Sequence, residues 1–102
     1  MTDLKALSQD TVVSTEELAA EFSPRKSFYG KAQVLDLQNG AKLLKSYNTI
    51  VAIVYTDDNG ETNFAINGKY SATTTSHQRE FIRQFAGVDV EPRKLEKYVK
   101  EF

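Results

Sequence analysis

Cysteine is absent from this chain of 102 residues, and so is tryptophan. Without thiols there is no disulfide, no thiol nucleophile and no cysteine-held zinc or iron–sulfur centre. A single histidine, His77, excludes the usual His-cluster metal sites and leaves one candidate imidazole base. No apolar run approaches the ~18–20 residues of a membrane span. The N-terminus lacks the basic-then-apolar pattern of a signal peptide. An excess of one charge is missing as well: 13 Lys and Arg face 14 Asp and Glu, for a net charge of −1. That balance argues against a wholly basic nucleic-acid binder and against a membrane-surface protein. The expectation is a cytoplasmic protein with neither metal nor organic cofactor.

What is present is globular in kind. Apolar residues make up 40%, aromatics 11% and charged residues 26%, values of a folding chain and not of a disordered one. The length suits one domain spanning 1–102, with residues 1–12 as a candidate mobile arm. Leu4 and Leu7, three apart, suggest one turn of helix or a frayed arm. Ser14 and Glu17 have capping-box spacing, and Val13 with Leu18 the spacing of a hydrophobic staple, which together predict a helix reaching Phe22. Pro24 stops it.

The period then changes. Lys31 to Leu37 alternates as a strand. Lys42 to Tyr47 and Thr49 to Tyr55 follow, and the continuous apolar run Ile50–Val54 reads as a strand covered on both faces. Thr62 to Ile66 is a further strand. Asn39-Gly40, Asn59-Gly60 and Asn67-Gly68 punctuate these runs; Asn39-Gly40 in particular reads as a type I′ hairpin turn, in which both central residues need a positive φ. Helical period returns in the last third. A helix is expected to start near Thr75, with Phe81, Ile82 and Phe85 inward, Arg79, Glu80 and Arg83 outward, and Gly87 as its stop. A final helix has Pro92 at its first position and Leu95, Tyr98, Val99 and Phe102 on one face. The expected fold is α+β: an antiparallel meander of about four strands with helices packed on one face. Ile50–Val54 should be central and Lys31–Leu37 nearer an edge.

Candidate chemistry is sparse. His77 has no accompanying nucleophile motif and reads as a structural or capping histidine. Asp57 to Glu61 suggests calcium, but with Gly60 at loop position six an EF-hand would begin at Tyr55 and end at Ile66, neither of which fits; a solvated turn is the simpler reading. The hydroxyls Thr73 to Ser76 can present a helix N-terminus to an anion or merely cap it. Arg25-Lys26-Ser27-Phe28-Tyr29-Gly30-Lys31 is the most informative segment, with three cations flanking two aromatics. That combination serves base stacking with phosphate contact, and equally a protein–protein hot spot. Charge is also segregated: residues 1–22 carry one cation and five acids, residues 23–46 five cations and one acid. An acidic arm beside a basic hairpin region is the result.

Three blocks carry a resemblance: Ser27-Phe28-Tyr29-Gly30-Lys31-Ala32, then Ser46-Tyr47-Asn48-Thr49 with Val51-Ala52, then Ser71-Ala72-Thr73-Thr74 with His77 and Phe81. Over roughly residues 25–86 the chain resembles a small uncharacterised domain family of bacteriophages, plasmids and gut bacteria, departing from it at Tyr70, where tryptophan is expected. The resemblance brings no activity and implies the accessory protein of a mobile element. Small proteins of that origin often block host defences by binding, and anti-CRISPR proteins of type II systems are one such group. The implied function is a non-enzymatic inhibitor acting on a type II RNA-guided effector nuclease or its guide-RNA loading. The alternative is a small nucleic-acid-binding accessory protein. Arg25, Lys26, Tyr29 and Lys31 are the expected partner contacts, and Phe28 is assigned to the core. The acidic residues Asp10, Glu16, Glu17 and Glu21 are the next candidates.

Overall fold

The structure, a computed structural model, describes residues 3–22, 31–68 and 70–102. Two of the expected Asn-Gly turns build hairpins, though by a different backbone route. Gly40 and Gly60 have φ of 92° and 79°, while the asparagines before them stay out of the left-handed region. Gly40 N–H donates to Leu37 O, and Leu37 N–H to Ala41 O. The same pattern joins Gly60 to Asp57 and Asp57 to Glu61. These are three-residue loops that end on a left-handed glycine, in place of two-residue type I′ turns. Local side chains secure them: Asn39 Oδ1 accepts from Ala41 N–H, and Asp57 Oδ1 from both Asn59 N–H and Glu61 N–H. The Asp57–Glu61 carboxylate cluster is therefore built into a turn.

The hairpins assemble a five-stranded antiparallel sheet in sequential order. Its strands are β1 (Val12–Glu17), β2 (Ala32–Leu37), β3 (Lys42–Ser46), β4 (Thr49–Thr56) and β5 (Thr62–Ile66). The first strand is the added one. The segment that reads as a capped helix is extended and pairs with β2 from Val12↔Leu37 to Glu17↔Gln33. Ser14, expected to cap a helix, donates to Asp36 Oδ2 across the ladder at 3.1 Å. β-Branched Val12, Val13 and Thr15 suit a strand better than an exposed helix, and the unpaired edge of β2 supplies partners for its backbone. β2 is thereby moved inward. β3 is the middle strand, and Val51, Ala52, Ile53 and Val54 of β4 are all buried, as a strand covered on both faces requires.

One face carries Ala32, Val34, Leu44, Ala52 and Ile66 beneath Phe81, Ile82 and Leu95. The other carries Leu37, Leu43, Ile53, Tyr55 and Ala65, against which Leu4, Leu7 and Phe102 pack. Leu4 and Leu7 belong to the one-turn helix α1 (Leu4–Ser8), capped by Asp3. The main helix, α2 (Ala72–Ala86), starts three residues before the expected Thr75 because Ser71 caps it, accepting from Thr74 N–H; Gly87 at φ 71° ends it. Its buried residues are mostly polar, with Thr74, His77, Gln78 and Glu80 beside Phe81 and Ile82. Glu80, expected to face outward, is 3% exposed. Its carboxylate accepts from Phe22 N–H at 2.9 Å and from Gln84 Nε2 at 2.8 Å, so it ties the chain after β1 to the helix.

The expected C-terminal helix is a 3-10 helix over Pro92–Tyr98. Val99 then forms a parallel bridge to Ile66, and Lys100 N–H donates to Ile66 O. Bridging turns Phe102 onto the sheet face opposite Leu95, where a continued α-helix would have kept both on one side. Among the described residues no helix is long and apolar enough to cross a membrane.

Candidate partner-binding surface

Arg25, Lys26 and Tyr29 lie outside the described residues, as does Phe28. Lys31 is described, exposed, and immediately precedes β2. Its carbonyl accepts from Tyr47 N–H at 2.6 Å. This places an exposed cation beside the β3–β4 hairpin, whose two-residue connection is Tyr47-Asn48 between the paired Ser46 and Thr49.

Tyr47 has a φ of 55°. A non-glycine residue in the left-handed region bears a steric cost of roughly 1–2 kcal/mol, because Cβ crowds the following carbonyl. Burial does not offset that cost, for Tyr47 is 51% exposed. The hairpin is held from beneath by buried polar contacts. Ser46 Oγ lies 2.8 Å from His77 Nδ1 and 3.1 Å from Thr74 Oγ1. Ser46 has one hydroxyl proton, so at most one of these two bonds is donated by it and the other is received. The His77 ring sits 6.1 Å from that of Tyr47, tilted against it. Ser46 at 2% exposure and His77 at 0% are sealed from solvent. A hydroxyl and an imidazole so placed anchor the hairpin to α2. The hydroxyl run Thr73 to Ser76 lies within α2, where Thr74 is buried and Ser76 Oγ donates to Ala72 O.

The acidic residues divide between two places. Glu16, Glu17 and Glu21 line one cleft of about 260 Å³ between the end of β1 and α2, floored by Leu18, Val34 and Phe85. Asp10 lies elsewhere, in a cleft of about 570 Å³ beside α1 that also takes in Asp3 and Asp58. Leu18 N–H donates to Ala32 O. The acidic end of β1 and the cation Lys31 are thus neighbours at one end of the sheet. Reading the sequence did not single out Tyr47 as a candidate. The available signal was a two-residue hairpin loop built from Tyr-Asn where turn chemistry favours Asn-Gly.

A family model described as "Family of unknown function (DUF8033)" matches residues 17–99. No curated protein matches the chain, and no solved structure does.

Proposed function

The chain belongs to this family of unknown function, DUF8033, and from that premise we propose that it is a non-enzymatic binding protein whose partner is another protein, met at the Lys31–Tyr47 end of the sheet. The observation that carries the reading is Tyr47, a large aromatic half exposed on a hairpin tip in left-handed backbone. The two-residue hairpin requires the positive φ, but a tyrosine there in place of glycine or asparagine is better explained by what its side chain meets outside. Tyrosine and neighbouring cations are the chemistry of an interface anchor, giving wide contact area at low entropic cost. Lys31 adjoins it directly, and Arg25, Lys26 and Tyr29 lead into Lys31 along the sequence. The mobile-element context implied by the resemblance makes inhibition of bacterial defence the role to test. The first partner to try is a type II RNA-guided effector nuclease, with and without its guide RNA.

The experiment uses purified components. The nuclease, loaded or empty, is titrated with the chain while binding and DNA cleavage are followed. Tyr47→Ala with Lys31→Glu is expected to weaken binding by about tenfold or more, the loss of one hot-spot contact. Binding to free nucleic acid that falls steeply with salt, with no protein partner needed, would overturn the reading in favour of nucleic-acid recognition.

A further inference from the structure

A second surface is the outer edge of β1, separated from the β3–β4 hairpin by β2. All six residues of β1, Val12 to Glu17, are exposed, with Val12 at 45% and Val13 at 61%. Among the described residues β1 is the terminal strand of the sheet, paired on its inner side. Leu18 N–H points inward, donating to Ala32 O, and the only register shift lies between Val12 and Ser14. By the alternation of an antiparallel ladder, the N–H and C=O of Thr15 therefore point outward, away from β2. Such an edge is a template for one more strand.

Its surroundings select the occupant. Glu16 and Glu21 flank the strand's end and wall the cleft floored by Leu18, Val34 and Phe85. Residues 1–22 hold one cation against five acids. An incoming nucleic acid would meet like charge, whereas an extended chain bearing lysine or arginine at alternate positions would place its cations on the glutamates. We propose that the outer edge of β1 docks an extended, basic segment of a partner protein as a sixth strand. Backbone hydrogen bonds to groups such as those of Thr15 supply the pairing, and Glu16 and Glu21 supply the preference for positive charge. The apolar floor takes the stem of a lysine or arginine side chain.

The probe is a labelled peptide of alternating lysine and valine, compared with one of alternating glutamate and valine. Anisotropy titration of the whole chain should show binding of the basic peptide only, weakening as salt is added. Thr15→Pro removes the outward donor and places the ring on the open side, where proline is tolerated. It is expected to weaken the peptide by about tenfold or more while the melting temperature stays close to that of the parent. Glu16→Lys with Glu21→Lys, both at exposed positions, should do the same without touching the backbone. Tyr47→Ala should leave peptide binding unchanged, which separates this site from the hairpin. Equal binding of the acidic peptide would overturn the proposal, as would retention of full affinity in both the proline and the lysine variants. A chain that sediments as a dimer and becomes monomeric on Thr15→Pro would also overturn it, the edge then being taken by a second copy.

Discussion

The two edges of the sheet are finished in opposite ways. On β5 the chain returns after the 3-10 helix, Val99 bridges Ile66 in parallel and Lys100 donates to Ile66 O. The Tyr98 ring packs tilted against that of Phe64, with centroids 4.6 Å apart. On β1 no described segment returns, and all six of its residues are exposed. What protects that edge is a bulge near Val13 and the charges of Glu16 and Glu17. Open edges are ordinarily covered, shortened or charged, because they pair with whatever strand comes near. The C-terminal segment thus gives one edge to stability, and the edge left open among the described residues is the one we propose for contact.

That contrast can be broken most forcefully at the covered edge. Leu95→Ala, on the buried side of the 3-10 helix and 2% exposed, should cost about 2–5 kcal/mol in urea unfolding. Val13→Ala on the bare edge should stay within about 0.5 kcal/mol. A comparable loss at both would mean that β1 is packed as β5 is. Next in size is Glu80→Ala, which strips the acceptor from Phe22 N–H and should cost about 1–3 kcal/mol. Amide hydrogen exchange sharpens that test, since protection should fall at residues 18–22 and through β1 while β5 keeps its own.

Between the edges, Tyr47→Asn should raise stability by about 0.5–1 kcal/mol, since asparagine tolerates the left-handed backbone. The same variant should bind partner less well, and a fall in melting temperature would show that the tyrosine serves the fold. The smallest effect belongs to Asp36, which links β1 to β3 by accepting from Ser14 Oγ and pairing with Lys42 Nζ. The Lys42 hydrogen bond, aided by Ser14 and by the Lys42 charge, holds its carboxyl below the ordinary 3.8 against the opposing effect of burial. Because the folded value is the lower one, the contribution is complete above about 3.8 and is lost as pH falls through the folded value. Asp36→Asn should therefore cost less than about 1 kcal/mol at neutral pH, since the pair is still partly exposed to solvent. The difference from the parent should close in acid, and a gap that persists at pH 2 would place the effect in shape and not in charge.

Local signals were enough for the β2–β3 and β4–β5 hairpins, for the two-sided burial of β4 and for the ends at Gly87 and Pro92. Each acts within about four residues: a glycine that can turn left-handed, a carboxylate that caps a loop, a ring that fixes φ. The fate of Val12–Glu17 was not local. Its spacing satisfies a capped helix as well as a strand, and what decided was the edge of β2, reached by bonds such as Ser14 to Asp36 across 22 residues. The same holds for Glu80, whose acceptor role depends on Phe22 arriving from 58 residues away, and for His77, buried by a hairpin that places Ser46 against it. It holds too for the last residues, which leave a helical pattern because Ile66 offers an open carbonyl. Polar groups carried into the interior must be paired where they land. The sequence by itself therefore determined which elements can form, and tertiary pairing decided which edge was covered, which was left open and which polar side chains went inside.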